Sequence, residues 1–277
     1  MKRFTHSYRP IISLLFIAIL FSCGGDGDGG GSIFENLTGL TPDHDVELGQ
    51  QVSAEINSKP ADFPLLDEQE FSSSYSYLNA MKDDILASDD IEFRDKFVWE
   101  LKIIADDNTL NAFATPGGFI YVYTGLIKFL DNADDLAGVM GHEIAHADLR
   151  HSSDQMKEQF GLSLLSQILL GGQSDQVAQI ATQIGSLSFS RGDEAAADEY
   201  SVIYLSDTDY ACNGAAAFFQ KLLDNNQSSG VPEFLSTHPS PDNRVEDINT
   251  KATEVGCSTL PIDEMGMTYA EFKASLP

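Results

Sequence analysis

The apolar positions of the chain repeat with two different periods. From Asp43 to Ile56, Leu48, Val52 and Ile56 recur every four residues, which stacks them along one helical face. Pro42 near the start, with Thr41 or Asp43 as the cap, fits a helix there. Residues 74–90 predict a second helix. The run Phe97-Val98-Trp99-Glu100-Leu101-Lys102-Ile103-Ile104 is β-rich and roughly alternating, hence a strand. Asp106-Asp107-Asn108 is a turn signal, and Pro116-Gly117-Gly118 punctuates the chain before a second strand over 119–123. A short helix runs from Gly125 to Phe129, and longer ones follow over Asp134 to about Arg150, 154–170, 175–189, 193–205 and 213–224. Asp134 and Asp135 suit the positive N-terminal end of their helix. Pro232, Pro239 and Pro241 mark a C-terminal loop followed by short helices. No internal repeat is visible. The pattern predicts a helix-rich α+β fold with a small sheet.

The first thirty residues have a different pattern. Lys2, Arg3 and Arg9 stand without an acid, and an apolar stretch fills positions 11–21. That length suits a secretory signal better than a spanning helix of about 20 residues. It ends in Leu20-Phe21-Ser22-Cys23, then Gly24-Gly25. Leu, a small residue and Cys in those places resemble a bacterial lipobox, although Phe21 is bulkier than usual. The expectation is a signal peptide over 1–22, a lipidated Cys23, and a flexible Gly/Asp tether over 23–40. Several acyl chains would anchor firmly where one would not. Asp26 and Asp28 do not make a calcium loop, because Leu37 stands where the twelfth-position Glu would be. The apolar run Leu162 to Leu170 is too short, and too interrupted by Ser and Gln, to cross a bilayer.

Charge narrows the partners. Among 277 residues, Lys and Arg number 16 and Asp and Glu 43, for a net charge of −27. Nucleic-acid binding needs clustered Lys and Arg, so that class is excluded, as is docking on anionic lipid through a basic patch. Most of the acidity reads as a solvated surface. With Cys23 lipidated, Cys212 and Cys257 remain. In an exported domain they favour one disulfide over two buried thiols. No CxxC or Cys–His cluster exists to build a thiolate metal site.

Residues 142–146 read His-Glu-Ile-Ala-His. On a helix, positions i and i+4 lie about 40° apart, so both imidazoles leave one face and can reach one tetrahedral zinc. Glu143 would reach a water on the metal rather than the metal, as general base and then proton carrier. A third protein ligand must leave one open position. His151 is placed about 180° around the same helix and is rejected. The extended pattern with a third histidine on the same segment also fails, since Leu149 and Ser152 stand where Gly and His are needed. Residues 189–200 offer Glu194 and Asp198 at i, i+4, with Ala195, Ala196 and Ala197 allowing close helix approach. Glu194 is assigned as third ligand, with Asp193 and Glu199 as competitors. Asp198 would accept an N–H from a liganding His.

These residues carry a resemblance. The chain resembles the zinc metalloendopeptidases that include HtpX, BepA, LoiP and the type-one CAAX prenyl proteases, metallopeptidase family forty-eight. Matching stretches are Val46-Glu47-Leu48-Gly49, Asn111 to Gly118 with Ile120, Thr124-Gly125-Leu126, Leu136 to His146, Arg150-His151, Ser190-Arg191 with Glu194 and Asp198, and Thr237-His238-Pro239 with Arg244. The resemblance implies a gluzincin fold over 41–277 as one metallopeptidase domain, one Zn2+ per chain held by His142, His146 and Glu194, and endopeptidase activity. It implies that the segment Asn111 to Gly118 is an edge strand beside the cleft, with extended substrate pairing along 117–122, where Gly117, Gly118, Phe119 and Ile120 stand. In some relatives the histidine matching His238 approaches the zinc and holds the protease off until substrate displaces it. His238 is therefore a transition-state donor or a switch, against a plain loop histidine. Arg244 either stabilises the oxyanion or pairs with Asp198. The expected role is that of a lipid-anchored periplasmic protease at the outer membrane, acting on misfolded envelope proteins. The alternative is a chaperone-like lipoprotein that keeps the zinc fold without cutting.

Overall fold

The computed structural model describes residues 39–171, 174–225, 233–239, 243–262 and 266–277. The expected signal peptide, Cys23 and nearly all of the tether lie outside the described residues, as do Pro232 and Pro241.

Helix α1 spans Pro42–Asn57 and α2 spans Ser72–Leu86. The Thr41 hydroxyl caps α1, accepting from the His44 N–H while His44 accepts from the Thr41 N–H. Three strands follow, β1 Glu100–Ile104, β2 Ala112–Thr115 and β3 Phe119–Tyr123, in the sheet order β1-β3-β2. β3 is central, parallel to β1 and antiparallel to β2. It is buried on both faces and alternates between two cores. Ile120 and Val122 join the larger core, while Phe119 and Tyr121 join a second core beneath α1. The register sets Phe113 opposite Tyr121, and their rings stack at 4.7 Å.

This topology corrects one expectation. Residues 119–122 cannot receive a substrate strand, because both of their ladders are occupied. Phe119 and Ile120 are buried, and the Gly117 carbonyl accepts from the Val98 N–H at 2.9 Å. Gly117 and Gly118 take positive φ, and their close approaches are to Val46 and Trp99 rather than to an open cleft. The edge strand beside the cleft is β2, inside the Asn111 to Gly118 segment that the resemblance implied, although the hydrophobic pattern left it unassigned because four residues carry too little alternation to register.

Beyond the sheet come α3 Thr124–Phe129, α4 Ala133–Asp148, α5 His151–Phe160, α6 Leu162–Leu169, α7 Ser174–Ile184, α8 Arg191–Leu205, α9 Gly214–Asn225, α10 Glu233–Thr237, α11 Arg244–Val255 and α12 Tyr269–Ala274. The segment read as one helix over 154–170 is two, parted at Gly161 with φ 79°. The helix placed over 175–189 stops at Ile184. α4 is buried around its whole circumference, which marks it as the central helix of the domain. A Cβ on its Gly138 would lie 2.0 Å from the Ala215 nitrogen, so α9 crosses almost in backbone contact. Cys212 and Cys257 form a disulfide that ties the end of α11 to the loop before α9. No helix among the described residues is long and apolar enough to cross a membrane.

Candidate metal centre

α4 starts at Asn132, whose side chain accepts from the Asp135 N–H, and carries His142 and His146 on successive turns. α8 starts at Ser190, which forms a capping box with Asp193. That box removes Asp193 from the ligand candidates. Glu199 leaves them too, because it is exposed and paired with Lys251 at 2.5 Å. Glu194 and Asp198 face inward, with Ala197 buried between the helices and Ala195 exposed. α10 delivers His238 at its end, where the His238 N–H donates to the Phe234 carbonyl and the two rings stack at 4.2 Å.

Four side chains converge. One donor atom from each of His142, His146, Glu194 and His238 lies within 4.8 Å of the others, and all four residues are buried. His142 Nε2 is 3.0 Å from His146 Nε2 and 3.4 Å from His238 Nδ1. Glu194 Oε1 is 3.3 Å from His146 Nε2 and 3.0 Å from His238 Nδ1. A tetrahedron with bonds of about 2.0–2.1 Å has edges of about 3.3 Å, so these spacings fit a cation held between three imidazoles and a carboxylate. The donor chemistry suits zinc.

Charge agrees with that fit. Burial alone would raise the Glu194 carboxyl, but His238, His142 and His146 hold it well below the usual range. His142 is opposed by burial, yet the carboxylates of Asp198 and Glu194 raise it. Burial drives His146 the other way, well below its ordinary value, which keeps a lone pair free. Glu143 points beside the cluster without ligating. It is fully buried, with Oε1 3.5 Å from His238 Nε2, and desolvation pushes its carboxyl up to about 7 against the opposing pull of His238.

The Arg244 alternatives resolve by geometry. Its guanidinium forks onto Asp198 and reaches Glu194 Oε2 at 3.0 Å, while its face lies on the Phe219 ring, 3.5 Å from the centroid. It lies behind the ligands. Asp198 stands 2.9 Å from His142 Nδ1. His151, rejected on helical projection, is close to the centre: its Nδ1 is 3.1 Å from His146 Nδ1. The projection failed because α4 ends at Asp148 and the chain turns at Arg150. The pairing Arg150-His151 in the family resemblance was the only signal for it.

The cleft beside the cluster has a volume of only about 10 Å³, lined by Phe113, Ala114 and Ser152 on one side and Leu187, Phe189 and His238 on the other. Residues 185–189 are tied down over it. Asn111 Nδ2 donates to the Gly185 carbonyl, Gln155 Nε2 to the Ser188 carbonyl, and the Phe189 N–H to the Thr237 carbonyl. The Phe189 ring stacks on His146 at 3.8 Å.

Comparison with known proteins fits this centre. Residues 74–252 match the model of Peptidase family M48. Beta-barrel assembly-enhancing proteases of Yersinia pestis and of Escherichia coli (strain K12) are each 32% identical over 166 residues, covering 55% of this chain and 34% of theirs. The mitochondrial metalloendopeptidase OMA1 of Schizosaccharomyces pombe is 31% identical over 154 residues, covering 54% of this chain and 45% of its own. The chain thus spans a third to under half the length of these relatives. The matched region contains both histidines of α4, the carboxylates of α8, His238 and Arg244, and the chain belongs to Peptidase family M48.

Proposed function

We propose that this chain is a zinc-dependent metalloendopeptidase of the bacterial envelope, anchored by lipid at Cys23 and cutting misfolded envelope polypeptides on the periplasmic side. One observation supports it above the rest: His142, His146 and Glu194 converge as buried donors with the buried Glu143 carboxylate beside them. The relatives named as metalloendopeptidases and as beta-barrel assembly-enhancing proteases support the reaction class and the envelope setting.

His142, His146 and Glu194 would hold the zinc, which when bound polarises a carbonyl and acidifies water. Glu143 takes up a proton in the cleft and later returns it to the leaving amine. Its elevated carboxyl suits both duties near neutral pH. Asp198 holds the His142 ring through Nδ1, and Arg244 holds Asp198. Substrate aligns on the outer edge of β2, where the Ala114 carbonyl now accepts from the Ser152 hydroxyl at 2.7 Å. The space beside the site has room for about one water. His238 Nδ1 stands among the donors, 3.0 Å from Glu194 Oε1, so on this reading the form described is a resting one that opens when residues 185–189 and His238 move aside.

Casein hydrolysis by wild type against Glu143→Gln is the deciding experiment. The wild type should cut and the variant should not. Equal rates would remove the protease reading and leave a chaperone-like role. Membrane fractionation of Cys23→Ser tests the anchor separately, since unchanged membrane association would rule it out.

A further inference from the structure

The two histidines of α4 are backed by different groups. His142 Nδ1 faces the Asp198 carboxylate, but His146 Nδ1 faces another imidazole, that of His151, at 3.1 Å. A deliberate break in the chain creates this contact. Arg150 sits in the left-handed region at φ 62°, which for a non-glycine residue costs on the order of 1 kcal/mol and persists only when its surroundings hold it. They do: Arg150 Nε donates to Asp45 Oδ2 at 2.6 Å, its Nη2 donates to the Leu40 carbonyl, and Asp45 is fully buried under α1. The turn makes His151 the first residue of α5 and brings its ring to 5.2 Å from that of His146, at 70°.

Proton placement follows from the geometry. His146 Nε2 faces the other three donors, so with a cation held among them it must present a lone pair and Nδ1 must carry the hydrogen. His151 Nδ1 then accepts, and the His151 proton sits on Nε2, which points to Asp193 Oδ1 at 3.8 Å. Asp193 is itself fixed by the capping box at the start of α8. We propose that His151, backed by Asp193, is the positioning residue that sets the ring orientation and tautomer of His146. This rests on His146 being a zinc ligand. It gives the two ligands unequal partners, an anion behind His142 and a neutral imidazole behind His146, and it makes the Asp45–Arg150 brace part of the metal centre.

The test has two arms, both in a Glu143→Gln background that prevents self-cleavage. The first is 15N NMR of the histidines in the zinc-loaded protein, which needs no change at His151. His151 should show the Nε2-protonated tautomer, its Nδ1 accepting from His146, and an Nδ1-protonated His151 would overturn the proposal. The second is zinc affinity by chelator competition. His151→Phe should weaken binding about 10- to 100-fold, and Asp193→Asn by less. His151→Gln, whose amide oxygen can accept the same bond, should stay within a few-fold of wild type. Unchanged affinity in His151→Phe, or a loss in His151→Gln as large as in the Phe variant, would reduce His151 to packing. Absence of zinc binding by the parent protein would overturn the ligand reading, and the proposal with it.

Discussion

Arg244 forks onto Asp198, with Nε donating to Oδ2 at 2.5 Å and Nη2 to Oδ1 at 2.7 Å. Both residues are buried, so this pair is not a surface ornament. Its planar fork fits two carboxylate oxygens as an ammonium cannot. Arg244→Lys should therefore keep the fold but weaken zinc binding about 10- to 100-fold, read by chelator competition. Arg244→Ala leaves a buried charge unpaired and should cost about 3–5 kcal/mol in denaturant unfolding. Lysine matching arginine in both assays would show that the fork is not needed.

Glu143 should destabilise the fold it serves. In the metal-free protein its carboxyl rises from the ordinary 4.5 to about 7. Below the ordinary value, folded and unfolded chains are both protonated and nothing is lost. Between it and about 7 the unfolded chain has released the proton and the folded one has not, so stability falls as pH rises. The loss is complete above that range and is on the order of 3 kcal/mol. Glu143→Gln should abolish it, making the variant more stable than wild type at pH 8 and equal at pH 4. Parallel stability curves for the two would contradict this.

The disulfide Cys212–Cys257 closes a loop across a separation of 45 residues and pins the helix that begins with Arg244. Loop-closure entropy assigns it about 4 kcal/mol. Cys212→Ser with Cys257→Ser should melt roughly 10 °C lower. Activity at low temperature should fall less, since neither cysteine touches the centre. An unchanged melting point would deny the bond a stabilising role.

Gly138 and Gly192 make a matched pair for testing helix contact. A Cβ at Gly138 would collide with the backbone of α9, whereas one at Gly192 meets only Ser190 Oγ at 3.6 Å. Gly138→Ala should cost on the order of 3 kcal/mol and disturb zinc binding, because it displaces the metal helix. Gly192→Ala, in an exposed helical turn, should be neutral or stabilising by up to about 1 kcal/mol.

The sequence was most legible where chemistry is local. The i, i+4 spacings of His142 with His146 and of Glu194 with Asp198 survive folding because a helix preserves them. Asp193 and Glu199 could not be excluded from pattern alone, since a capping box and an ion pair to Lys251 decide their fate. Strand order was illegible for a different reason. β1 lies beside β3, and the intervening β2 returns on the far side, so the edge is set by pairings distant in sequence. His151 was misplaced because neither glycine nor proline marks the turn at Arg150. A buried carboxylate from α1 holds that turn, more than a hundred residues away along the chain.

The closed cleft has a kinetic meaning. If the proposed opening gates the site, a polypeptide binds only the fraction of molecules in which the 185–189 segment has lifted, and its apparent affinity is diluted by that fraction. If about one molecule in a hundred is open, a micromolar intrinsic affinity is read as roughly a hundred times weaker. Turnover would then report the lifting of three hydrogen-bonded tethers as much as the cutting of a bond. On that reading, Asn111→Ala or Gln155→Ala should raise casein turnover without touching the residues of the centre, and unchanged rates would remove the opening from the rate-limiting step.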